Sequence, residues 1–289
     1  MRNNKEILRE VAMEVFQQRA EKDWYLTKLD RLIQGAPPAQ FYLSFSSAAR
    51  KTSKESLRLT KDQVERIQAV QPAFNLSTWT VDELSRVAFM TTLPVENNQA
   101  ILDKLFDTAD MRESVALFKG LFFLDNAEAF IMRAIDGLRT NITHVFDAIA
   151  LDNVFPSLYF EEAPWNQMVL KAIFMQRPIY RIFDLDQRKN KTLALILQDY
   201  AHERWAAHRQ VSPELWRAVA GYADDSFYPD FEKMLKSDLE IEQFAAAKAI
   251  IESEVPTAKA LLEGLDLNWE QLPSWDEIGQ QWEQQNDNQ

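Results

Sequence analysis

Apolar positions recur along the chain at three- and four-residue intervals, and alternating runs of period two are nearly absent. That pattern predicts helices almost throughout. Residues 4 to 34 set it, with Ile7, Leu8, Val11, Val15 and Phe16, then Trp24, Tyr25, Leu29, Leu32 and Ile33, until Gly35 and Pro37-Pro38 stop it. Phe41-Tyr42-Leu43-Ser44-Phe45 predicts a short aromatic helix, and polar Lys51 to Leu59 a flexible loop. Thr60 precedes a helix through Val70, while Thr80-Val81-Asp82-Glu83 and, more loosely, Asp110-Met111-Arg112-Glu113 have capping-box spacing. Pro94 suits a first helical turn, and Asn126 a cap for the helix carrying Phe130, Ile131 and Ile135. Ser212-Pro213-Glu214 supplies a cap, a first-turn proline and an early carboxylate.

The chain is therefore expected to be all-α, a single helical domain over residues 1–289. Phe231 to Asp238 followed by the alanine-rich Phe244 to Ile251 and Pro256 has HEAT-like texture across 226–265, although no strict period runs through the chain. An α–α superhelix of stacked helix pairs is the expected architecture, with a compact helical bundle as the alternative. The polar tail 280–289 is expected to fray.

Composition narrows the function classes. Only six glycines in 289 residues suit long helices and short turns. A net charge of −12 repels phosphate backbones and anionic headgroups, so nucleic-acid binding and membrane-surface adsorption are not expected. Without cysteine there is no disulfide, thiol catalysis or cysteine-ligated metal. No apolar run approaches the ~18 residues of a spanning helix, and the first residues lack a signal-peptide core, so a cytoplasmic protein without membrane insertion is expected. Phosphate-binding glycine loops, dinucleotide fingerprints, nucleophile elbows and His-Glu-x-x-His motifs are all missing, which leaves no catalytic signature and no predicted cofactor.

Candidate chemistry concentrates between residues 139 and 205. At ~100° per residue, Ile142, Val145, Phe146 and Ile149 form one stripe, with Thr140, His144 and Asp147 opposite. Likewise Leu193, Ile196, Leu197 and Tyr200 oppose Asp199 and His202. Were these two polar faces to meet, His144, Asp147, Asp199 and His202 would make a two-histidine, two-carboxylate set able to hold a divalent metal or to act as acid and base. The plainer alternative is a pair of solvated faces. Arg139 and Arg204 could clamp an anionic ligand or cap helix-end carbonyls. Asn166, among apolar neighbours, calls for buried amide partners, and could instead read a ligand together with Asn141, Trp165, Lys171 and Glu203. Trp24, Trp79, Trp165, Trp205 and Trp216 are expected core anchors.

Several segments carry a family likeness: Phe41-Tyr42-Leu43-Ser44-Phe45-Ser46 with Arg50, Phe106 to Met111, Arg139-Thr140-Asn141 with Ala148-Ile149-Ala150, Trp165 to Ala172, and Asp199 to Trp205. In these the chain resembles the EboA family, described as metabolite-traffic proteins, best over residues 40–225. The resemblance implies a bacterial protein from a gene cluster that also encodes a prenyltransferase-like membrane protein and metal-dependent hydrolase-like proteins. It implies a non-enzymatic carrier or adaptor for a small metabolite, or for partner proteins of that cluster. It offers no catalytic residues, and leads one to expect a glycine around Gln176-Arg177-Pro178. A metal-dependent enzyme and a pure protein-interaction scaffold remain the alternatives.

Overall fold

The computed structural model describes residues 4–71, 75–263 and 272–287, with backbone alone at 286 and 287. It is all-α, about 71% helical, and no strand occurs among the described residues. Contacts divide the chain into two compact units, Met1–Phe160 and Glu161–Gln289. No described helix is long and apolar enough to cross a membrane.

The first unit holds α1 (Asn4–Gln17), α2 (Lys22–Ile33), α3 (Pro38–Lys51), α4 (Lys61–Gln68), α5 (Val81–Met90), α6 (Val95–Thr108), α7 (Met111–Gly120), α8 (Ile131–Gly137), α9 (Thr143–Ala150) and α10 (Phe155–Tyr159). Its centre is α5, which packs against α1, α2, α3 and α7 and is buried on every side. A helix so enclosed must bury its polar residues too, and Asp82 and Arg86 bond each other there. Fully buried Asp82 receives hydrogen bonds from Arg86 Nη1 (3.0 Å), Arg112 Nη2 (2.7 Å) and the Thr80 hydroxyl (2.7 Å). Arg86 in turn donates through Nε to the Phe45 carbonyl and lies over the Phe45 ring.

Capping chemistry sets the helix starts. Thr60 with Gln63 and Asp110 with Glu113 form reciprocal boxes, and Glu83 accepts the Thr80 N–H. Pro94 takes the capping position of α6, one residue ahead of its first turn. Asn126 differs from expectation: it makes no side-chain cap and exchanges amide hydrogen bonds with buried Asn98. The stretch from Lys51 to Leu59 is also tied down. Leu57 is buried, and the backbone of 53–57 bonds that of 79–82.

The second unit holds α11 (Glu162–Phe174), α12 (Leu185–Arg188), α13 (Lys191–Ala206), α14 (Leu215–Val219), α15 (Tyr228–Leu235), α16 (Glu240–Ser253), α17 (Pro256–Lys259) and α18 (Trp275–Asp287), with a 3-10 turn at Ile179–Arg181. α13 packs against α11 and α14, and α15 against α16. α18 lies on α16 and on the 3-10 turn. The tail expected to fray is thus helical through residue 287. Ile278 is fully buried, Arg217 pairs with Asp276 (2.7 Å) and the Trp275 indole bonds Glu252 (2.7 Å). Residues 288 and 289 lie outside the described residues.

Removing Asp82 would strand the Arg86 charge in the core. Asp82→Ala is expected to cost about 3–5 kcal/mol, the range for breaking one side of a buried pair. Denaturant unfolding of the two proteins measures it, and a loss below ~1 kcal/mol, the scale of exposed pairs, would contradict the assignment.

Candidate functional site

The predicted residues fall in both units. In the first, His144 and Asn141 are exposed, Asp147 is half-buried, and exposed Arg139 pairs with Asp136 at 3.4 Å. Val145, Phe146 and Ile149 are buried as the wheel requires, but Ile142 precedes α9 and is half exposed. In the second unit Asp199, His202 and Glu203 are exposed. His202 turns away from Asp199, its Nε2 donating to buried Asp230 on α15 at 2.7 Å, where Gln198 also donates at 2.8 Å. Among the described residues no group of three or more His, Asp or Glu side chains has the arrangement of a metal site.

Asn166 and Asn190 exchange amide hydrogen bonds at 3.1 and 2.9 Å, and Asn190 accepts the Leu193 N–H, so Asn166 fixes the start of α13. Trp165 is buried under the Arg188 guanidinium. Lys171 is half-buried, and that burial lowers its pKa. Trp79 and Trp216 are core residues, whereas Trp24 and Trp205 are only half covered.

Of the predicted set, Arg204 lines the groove that the second unit does form. It lies where α11 and α13 end, and both helices end alike. At α11, Gln176 N–H bonds the Ile173 carbonyl and Arg177 N–H the Ala172 carbonyl, and Pro178 prevents continuation. At α13, His208 and Arg209 repeat these bonds to Trp205 and Arg204. This closure needs a left-handed residue, normally glycine. Here Gln176 and His208 take it, each at φ 55°. The glycine expected near 176 is replaced by a side chain that the backbone accepts at a cost of order 1 kcal/mol.

Two lobes open beside these ends. One, of about 190 Å³, is lined by Arg177, Pro178, Ile179, Glu214, Trp282 and Glu283. The other, of about 230 Å³, is lined by Tyr200, Arg204, Arg209 and Gln210. Ile173, Gln176, Ser212 and Trp282 belong to both, so the lobes are neighbours that share a wall.

Glu214 anchors the first lobe. The sequence places it as an early helix carboxylate, yet it caps nothing in α14 and is only 2% exposed. Its Oε1 accepts the Tyr180 N–H at 2.8 Å instead. Burial raises its pKa to about 7, against the N–H groups of Tyr180 and Ile179 and the charge of Arg217, which favour the anion, while Glu283 adds to the rise. The Tyr180 hydroxyl, pushed up to about 12 by burial and by its hydrogen bond to Glu283, donates to that carboxylate at 2.8 Å.

α18 reaches this carboxyl because residue 279 is glycine. A Cβ there would stand 2.4 Å from Glu214 Oε1 and 2.6 Å from the Tyr180 ring. The signals available in sequence were a glutamate inside the apolar run Val211 to Ala220 and a glycine inside a helix.

A family model described as metabolite traffic protein EboA matches residues 4–220. Comparisons with curated proteins and with solved structures found no match. The matched span contains every groove residue except Trp282 and Glu283, which α18 supplies.

Two outcomes follow. Glu214 holds its proton more tightly folded than unfolded, so its contribution to stability is greatest below its ordinary value of 4.5 and declines as pH rises to about 7. Between those limits the stability difference between wild type and Glu214→Gln should shift by about 2–3 kcal/mol, as pH-dependent unfolding will show. Gly279→Val should lift α18, seen as faster hydrogen exchange in peptides covering 275–283 with α1 to α5 unchanged.

Proposed function

The chain belongs to the EboA family of metabolite-traffic proteins, and from that premise we propose that it is a non-enzymatic carrier that holds a small metabolite in the groove at the ends of α11 and α13. The carrying observation is the groove itself. Two neighbouring lobes bring an apolar wall, Ile173 and Trp282, together with guanidinium, hydroxyl, amide and carboxyl groups. Concave sites of this mixed lining, at ~300–1,000 Å³, are where small molecules bind.

The lining favours binding over turnover. Glu214 is engaged by backbone donors and the Tyr180 hydroxyl by Glu283, so both groups are committed to holding the walls of the groove. Orientation and release are what such a lining supports. α18 contributes one wall, seated by Trp275, Ile278 and Gly279 and by a handful of polar pairs.

Native mass spectrometry of the full chain against a protein-free extract of small molecules tests the reading. A retained adduct is expected, weakened about tenfold by Trp282→Ala, as loss of an aromatic anchor implies, and unaffected by His144→Ala in the first unit. An adduct insensitive to Trp282 but lost with His144 or His202 would favour the histidine faces and an enzyme. Absence of any adduct would leave an adaptor that docks partner proteins.

A further inference from the structure

The chain carries a net charge of −12, yet three arginines, Arg177, Arg204 and Arg209, line the groove against two glutamates. The charges are also sorted. Both glutamates lie in the first lobe, with Arg177, while the second lobe holds Arg204 and Arg209 and no acid.

Arg204 spends Nε and Nη2 on the Gln210 carbonyl, which fixes the guanidinium and leaves Nη1. Neither Arg204 nor Arg209 pairs with a carboxylate among the described residues. Both act on the half-buried Tyr200 hydroxyl, drawing its pKa down against the rise from burial, so positive potential is focused inside the lobe. Uncompensated guanidiniums beside a hydroxyl and an apolar wall are the chemistry that holds a carboxylate with an apolar body. Across the shared floor, Glu283 accepts one hydrogen bond from Tyr180 and has no cation partner among the described residues, so it can accept another from a ligand donor.

Resting on the carrier reading, we propose that the groove takes a small organic acid: carboxylate between Arg204 and Arg209, flat apolar body against Trp282 and Ile173, and a hydroxyl or other donor at Glu283. The ligand is thus oriented end to end. An amide or ester of the same acid loses the charge-assisted contacts, and an acid without the donor loses only the far end.

Ligand-observed NMR titration of the full chain with three probes tests this: 3-(4-hydroxyphenyl)propionate, its primary amide, and 3-phenylpropionate. The hydroxy acid is expected to bind about tenfold tighter than the amide and several-fold tighter than 3-phenylpropionate, as charge-assisted and single neutral hydrogen bonds imply. Arg209→Ala, at an exposed position, should erase the acid–amide difference and keep the hydroxyl effect. Glu283→Ala should do the reverse. Equal affinity for acid and amide, or a ratio unmoved by Arg209→Ala, overturns the proposal. If no probe binds while the native adduct persists, the acid class falls and the carrier survives. If neither is seen, both fall.

Discussion

One buried carboxyl holds the proposed site together. Glu214 is a charge-capable group taken almost wholly out of water, and such a group must be satisfied where it sits or stay protonated. It draws the backbone of the 3-10 turn onto α14 through the Tyr180 N–H, and it lies against the one residue of α18 that has no side chain. Three segments that are far apart in sequence meet there, near residues 180, 214 and 279. The first lobe is the space they leave. Were the carboxyl absent, the 3-10 turn would lose its acceptor and α18 the group that Gly279 packs against, at the wall that carries Trp282 and Glu283.

The second constraint is how those two helices stop. Each last turn closes through a left-handed residue that is not glycine, and the strain sits at the groove rim. Helix C-termini carry a partial negative charge, so the arginines that follow them are electrostatically suited to their places. Arg204 shows both roles at once, binding the Gln210 carbonyl while lining the cavity. Arg209, just past the end of α13, is exposed and has no carboxylate partner among the described residues.

Helical periodicity made the fold class legible, and capping chemistry placed the starts of α4, α5 and α7, because both are local. The site was far less legible, because its residues are brought together by tertiary packing. His144 and His202 stand out in the sequence as titratable groups three residues from an aspartate, but wheel geometry cannot say what faces a helix. In the fold His202 has the Asp230 carboxylate of α15 as its neighbour. Glu214 escapes the sequence for a related reason: Ser212-Pro213-Glu214 has the grammar of a helix start, and grammar does not reveal that the side chain is turned inward. The tail was judged by polarity alone. The inward turn just before it, Trp275, Ile278 and Gly279, helps to seat the helix that carries it. For Arg204 the sequence leaves an anion clamp and an end cap open, and in the fold its guanidinium bonds the Gln210 carbonyl beyond the end of α13.

Hydrogen–deuterium exchange of the full chain, with and without a saturating small-molecule fraction that it retains, tests the central claim most directly. Slowed exchange confined to peptides spanning 173–180, 200–214 and 275–283 is the result that a groove-held metabolite requires. Protection centred instead on residues 139–150, or on the exposed His202 face without the 275–283 helix, would contradict it.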